Sequence, residues 1–311
     1  MVKFKNFFLG FLFYLLFLDL SVVFANNNFT LNSTDKNIYV GLYLLNIGKF
    51  DISTGSFTAD FYLSFKCDNV CPHQDFEFMN GRAVTFEKII DEPNEKFYRI
   101  QANLFSTIDL KKFPFDKQKL KIIIEDKNNT IDKLNYIPNL RESGIDASII
   151  FIGWNIDEWT AYAREHDYDL YNESYSQYVF EITISRITLN AIFKTFLPII
   201  FIILIVLSSF VLDPDKITNR LTMVSSALVA SVMFHVSLAN QLPPVGYLTF
   251  IDKFMVLSYF VILLSFIFNV LLLELQEQKK EEIVKRLHRS TEFTMFLLVP
   301  LVYILLFIFF L

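Results

Sequence analysis

Leu221-Thr222-Met223-Val224-Ser225-Ser226-Ala227-Leu228-Val229-Ala230-Ser231-Val232-Met233-Phe234-His235-Val236-Ser237-Leu238-Ala239 carries no formal charge when His235 is neutral. As a helix this run is about 28 Å long, the depth of a bilayer's hydrocarbon core. Three comparable runs surround it. The sequence predicts membrane helices over about 187–212, 220–239, 251–275 and 291–311, with a charged inner linker over about 276–290. Lys194 and Pro198 interrupt the first run. Residues 187–311 therefore read as a transmembrane domain of four crossings.

The second run differs from its neighbours. The other three are rich in Phe, Ile and Leu, whereas this one has four serines, a threonine and a single aromatic residue. At about 100° per residue, Thr222, Ser226, Val229, Met233 and Val236 fall within about 40° of one line. Two readings are open. Small and hydroxyl residues can form a close helix–helix seam. Alternatively the stripe lines a pore, with hydroxyls replacing part of an ion's water shell and an apolar ring gating by dewetting. One helix encloses nothing, so a pore requires a ring of copies. His235 lies off the stripe and reads as a packing contact.

Composition narrows the remaining choices. Hydrophobic residues are 53% of the 311, charged residues 20%, far too apolar for a disordered chain. Two cysteines exclude a disulfide-rich miniature scaffold, and a net charge of −5 argues against a nucleic-acid partner. The acidity is concentrated in residues 26–186, which carry a net −7.

Residues 1–25 read as a signal peptide: Lys3 and Lys5, an apolar middle, then Val23-Phe24-Ala25 before Asn26-Asn27-Asn28. A retained anchor is the alternative. Residues 26–186 are then an exported domain, extracellular or periplasmic, and the chain is expected as a multi-pass protein of the cell (inner) membrane. The inner connections would hold Lys216, Arg220, Lys279, Lys280, Lys285, Arg286 and Arg289, and the outer one only Lys253. Glu281 and Lys285 stand at helical spacing, so the inner linker is expected to extend a neighbouring span.

The exported block alternates with period two. In Phe57-Thr58-Ala59-Asp60-Phe61-Tyr62-Leu63-Ser64-Phe65-Lys66, every second residue is apolar, as in a half-buried strand. Further strands are expected at 38–45, 84–90, 97–105, 119–125, 149–151, 159–164 and 178–187, which together make a β-sandwich. No nucleophile–base pair or complete metal cluster stands out, so no enzyme, cofactor or metal site is expected.

With these parts in order, the chain resembles the pentameric ligand-gated ion channels, the Cys-loop receptor superfamily, in its bacterial branch. The motifs are Asp109-Leu110-Lys111-Lys112-Phe113-Pro114-Phe115-Asp116-Lys117-Gln118, then Gly153-Trp154-Asn155-Ile156, Ser185-Arg186, Pro198, Asn240-Gln241-Leu242-Pro243 and Tyr247-Leu248-Thr249. The resemblance implies an all-β, immunoglobulin-like extracellular sandwich followed by an all-α four-helix bundle. It implies a homopentamer in a lipid bilayer, a central pore for inorganic ions lined by the second helix, and gating by a small molecule, a proton or a divalent cation. It places coupling residues at Asp51, Phe113, Pro114, Phe115, Asp116, Arg186 and Pro243. Arg186 at a domain junction needs carboxylate partners such as Asp116 and Asp51. A salt bridge with no switching role is the plainer reading.

The departures are informative. Thr107 and Ile108 precede the signature loop where animal receptors have a cysteine. Cys67 and Cys71 lie elsewhere and are read as a disulfide closing a short turn, with free thiols or a metal site using His73 as alternatives. Between Lys66 and Phe97 no W-x-P-type ligand motif occurs, so one wall of the usual agonist pocket is short or missing. The remaining ligand candidates are Trp154, Trp159, Tyr168, Tyr171 and Tyr175, among His166, Asp167, Asp169 and Glu173. Such tyrosines and carboxylates can hold an ammonium group by cation–π contact, sense protons or bind a divalent cation, or can be ordinary turn residues. At the inner mouth, Thr218 and Asn219 take the place where cation-passing relatives carry Glu, beside Arg220, Asp213 and Asp215. A net −7 per copy, about −35 in five, favours cations. A non-conducting membrane receptor is the competing function.

Overall fold

The structure, a computed structural model, describes residues 36–72 and 75–310. The expected signal peptide and His73 lie outside the described residues. Ten strands come first: β1 (Asn37–Ile47), β2 (Ser56–Lys66), β3 (Phe76–Phe78), β4 (Gly81–Asp91), β5 (Glu95–Phe105), β6 (Lys117–Asp126), β7 (Asn135–Pro138), β8 (Gly144–Ile145), β9 (Trp154–Tyr168) and β10 (Glu173–Arg186). One sheet runs β4-β5-β2-β1-β7 with β8 against β1; the other runs β3-β6-β10-β9. The alternation in β2 does what its period requires. Phe57, Ala59, Phe61, Leu63 and Phe65 are all buried. They meet Leu120, Ile122 and Ile124 of β6 and Phe180, Ile182 and Ile184 of β10 in one core.

Residues 149–151 are not a strand. Asp146 closes a turn there, accepting from the Ser148 amide at 2.8 Å, and its carbonyl accepts from the Ile149 amide at 3.2 Å. Phe151 plugs the core while Ile150 and Ile152 stay exposed, so the alternation marks a loop anchor. Cys67 and Cys71 form a disulfide. The Cys67 and Cys71 amides donate to the Asn94 and Pro93 carbonyls, tying this turn to the β4–β5 hairpin.

Four helices follow, each long and apolar enough to cross a membrane: α1 (Thr188–Ser209), α2 (Ile217–Ala239), α3 (Phe250–Glu277) and α4 (Glu281–Phe310). The charged stretch expected as a linker is helical except at residues 278–280, where Lys279 adopts φ 54°. Glu281 and Glu282 occupy the first turn of α4, where the helix dipole favours negative charge. Thr249 opens α3 with a capping box: its hydroxyl accepts from the Asp252 amide while Asp252 accepts from the Thr249 amide. At the sandwich end of the bundle, the Lys253 ammonium lies 4.2 Å from the Phe310 ring centroid, joining α3 to the far end of α4. Leu110 and Phe113 from the sandwich share a core with Phe196, Leu238, Phe250 and Phe254, so the two layers meet through apolar contact.

Candidate functional site

The α2 helix has two opposite faces. Ile217, Arg220, Val224, Ala227, Ser231 and Leu238 are buried. At about 100° per residue these lie within about 40° of the direction opposite the Thr222–Val236 line. The stripe itself is uncovered: Val229 is 64% exposed, Met233 68% and Val236 53%, and Thr222 and Ser226 are exposed too. Within one chain the stripe is therefore no packing seam, because α1 and α3 occupy the other side. Thr222 donates its hydroxyl to the Thr218 carbonyl at 2.9 Å, leaving its lone pairs free to face outward.

The end of α2 expected at the inner mouth departs from expectation in one respect. Asp213, Asp215, Thr218 and Asn219 are exposed. Arg220, expected at the mouth, is fully buried on the opposite face. Its guanidinium lies 5.3 Å from the Phe210 ring centroid, and Nη1 stands 3.3 Å from His288 Nδ1. Two residues before Thr222, it is turned about 160° from the stripe.

At the junction of the layers, Arg186 Nε donates to Asp116 Oδ1 at 2.6 Å. Gln118 Nε2 donates to the other oxygen, also at 2.6 Å. Asp116 is buried, and the guanidinium is held between the rings of Phe113 at 4.8 Å and Trp154 at 4.5 Å. Register explains the last contact, since Arg186 pairs with Trp154 across β10 and β9. The loop then reaches the helices. Phe115 stacks on Phe196 and meets Phe250 and Phe307 edge-on. The Leu110 amide donates to the Tyr247 hydroxyl at 2.9 Å, in the α2–α3 connection that also holds the half-buried Pro243. Asp51 does not join this group. Its carboxylate accepts from the Ser53 hydroxyl and amide, which hold it below the usual carboxylate range. Asp51 closes its own β-turn, and that use fixes its direction.

At the other end of the sandwich lies a cavity of about 250 Å³ lined by Glu77, Glu125, Asp126, Lys127, Tyr168, Tyr171, Glu173 and Tyr175. Glu125 is buried yet accepts from Tyr168 at 2.8 Å and Gln177 at 2.7 Å, with His166 Nδ1 at 2.9 Å. Burial and the Glu125 hydrogen bond push the Tyr168 phenol up to about 12, so it stays a donor. Glu173 likewise raises Tyr175 through a 2.9 Å hydrogen bond. Tyr168 and Tyr175 meet edge-to-face with centroids 5.5 Å apart. Four carboxylates and three phenol rings facing one lysine suit a cationic guest.

The tryptophans do not belong to this cavity. Trp154 begins β9 and Tyr168 ends it, about 46 Å apart along an extended strand. Trp154 serves the Arg186 junction, and Trp159 stacks on Phe180 at 5.3 Å, against the core. Glu77, from the short strand β3, lines the cavity as well. Sequence reasoning passed over Glu77, Glu125 and Asp126; the one local signal was a pair of acids closing a strand before the Asn128-Asn129 turn.

No protein-family model matches the chain. It is 26% identical over 161 residues to a proton-gated ion channel of Gloeobacter violaceus, covering 52% of this chain and 44% of that protein. It is 27% identical over 188 residues to pH-sensitive chloride channel 2 of Drosophila melanogaster, covering 52% of this chain and 33% of that protein. The chain is homologous to ion channels. The match spans less than half the length of either relative. It agrees with the resemblance to pentameric ligand-gated channels read from the motifs, and the sandwich followed by four apolar helices is the fold that resemblance implies.

Proposed function

We propose that five copies of this chain surround an axis in a cell membrane, with the sandwich outside, and form a gated ion channel lined by Thr222, Ser226, Val229, Met233 and Val236. The observation that carries this reading is the exposure of that stripe while the opposite face of α2 is buried. A continuous polar-to-apolar line left bare by its own bundle is free to face other copies around an axis, where its hydroxyls meet water rather than lipid. Hydroxyls at Thr222 and Ser226 then face the ion, and Val229 and Met233 make the dewetting ring.

Cations are the preferred permeant ions. The acidic sandwich concentrates them near the entrance, and Arg220, the nearest positive charge, is turned away from the axis. Opening is driven by a cationic ligand, such as an ammonium group, or by protons, acting on the cavity of Glu125, Tyr168 and Tyr175. Proton gating is named for the Gloeobacter relative, and pH sensitivity for the Drosophila one. The Arg186–Asp116 junction and the Tyr247 contact transmit the change to the α2–α3 connection.

The test is ion flux through liposomes holding the purified full chain. Val229→Ser and Met233→Ser should wet the ring and raise flux at rest by at least about tenfold, equivalent to about 1.4 kcal/mol. Normal assembly with no flux from any variant would overturn the channel reading and favour a non-conducting receptor.

A further inference from the structure

Arg220 is 0% exposed inside the helix bundle, and among the described residues no carboxylate bonds it. Its Nη1 donates to His288 Nδ1 at 3.3 Å, so that ring is neutral here and carries its proton on Nε2. Nε and Nη2 are buried and have no hydrogen-bond partner among the described residues. These two nitrogens are the side-on fork of a guanidinium, the parallel pair of donors that fits a carboxylate. A buried charge left unpaired is costly, and an ionisable side chain at membrane depth marks a site whose partner has to be named.

The neighbours form a polar layer between two apolar ones. On the sandwich side, Val224 and Ala227 of α2 pack with Val261 and Ile262 of α3 and with Met295 and Val299 of α4. On the far side, Ile217, Leu272 and Val284 make a second cluster. Between the two, the same three helices place Arg220, Asn269, His288, Thr291 and Glu292. Asn269 donates to the Ser265 carbonyl at 2.9 Å, and Thr291 donates to the Leu287 carbonyl at 2.8 Å. Glu292 is the sole carboxylate of this layer. It is half-buried, and its charge reaches Arg220 through space. It follows His288 by four residues, so the two stand on one face of α4, about 6 Å apart along its axis.

We infer that the Arg220 guanidinium exchanges between two anchors on α4: the His288 imidazole, as in this structure, and the Glu292 carboxylate, which takes the Nε–Nη2 fork. The first anchor is one hydrogen bond to a neutral ring. The second is a bidentate ion pair, stronger and stricter in geometry. Passing from one to the other moves the start of α4 along α2 by up to one turn, and two discrete positions of a packed helix are a form that switches take. Its bearing on gating rests on the channel reading above, since α2 carries the stripe; the exchange itself does not.

The test uses the full chain in nanodiscs with isotope-labelled arginine, the Arg220 signal being assigned by its loss in Arg220→Lys. A carboxylate bound side-on moves the Nε–H proton downfield and slows its exchange with water. His288→Leu removes the neutral anchor, so the Nε–H signal should move downfield. Adding Glu292→Gln to His288→Leu should abolish that shift, and adding Glu292→Asp should keep it. A signal that does not move in His288→Leu, or a shift that survives in the double variant with Glu292→Gln, overturns the exchange. In liposome flux, His288→Leu and Glu292→Gln favour opposite anchors, so they should change resting flux in opposite directions, each by at least about threefold. An arginine that merely sets the register of α4 would move both variants the same way. Changes of the same sign, or none, overturn the link to gating. Absence of flux in every variant, with the Nε–H shifts intact, overturns the channel reading and leaves the exchange standing.

Discussion

Asp116 and Glu125 are buried at opposite ends of the sandwich, and the two are treated differently. Asp116 is paired with a guanidinium, which stays charged throughout the physiological range, and is boxed in by Phe113 and Trp154. Glu125 is held by a phenol, an amide and an imidazole, none of them a permanent charge. The junction with the helices is thus a fixed link, and the far cavity is a place where charge can arrive. The proposed gating would use the first as transmitter and the second as receiver.

Breaking the fixed link should do the most damage. Arg186→Gln leaves Asp116 buried with Gln118 as its remaining partner, and removing one member of a buried pair costs about 3–5 kcal/mol. The thermal midpoint of the detergent-solubilised protein should fall steeply, and Arg186→Lys should fall between. A midpoint unchanged in Arg186→Gln would put the two ends on equal footing. At the far end, Glu125→Gln loses one of several hydrogen bonds and should cost only about 1 kcal/mol. It should nevertheless weaken a simple probe cation, tetramethylammonium, by about tenfold in titration calorimetry. The smallest effect is on the sheet face between the two ends. Burial pushes the Glu181 carboxyl up, but Lys119 at 2.7 Å and Lys121 at 3.3 Å outweigh it and hold it below the usual range. Its contribution is present above the unfolded carboxylate value and is lost as pH falls through the lower folded one. Wild type should lose less than about 1 kcal/mol there relative to Glu181→Gln, because both lysines are solvated.

What could be read from the chain followed the range of each interaction. Period-two alternation set β2, and a 100° step set the α2 stripe, since both are local. The same step places Arg220 opposite Thr222, so its expected place at the mouth came from chain proximity alone. Asp116 was legible through the signature loop. The Glu125 site was not, because it is assembled by register: Gln177 of β10 pairs with Glu125 of β6 on one side and Arg164 of β9 on the other, bringing His166 within reach. Asp51 bonds Ser53 in its own turn, as a turn carboxylate serves its own backbone first.

The cation–π contact of Lys253 with Phe310 has a mechanical consequence. Many side chains of α4 are exposed, so a change in the thickness of surrounding lipid would bear on the tilt of this helix. Any such tilt tugs on Lys253, the immediate neighbour of Asp252. Strain from the lipid would then reach the head of α3, at the residue next to its capping-box carboxylate.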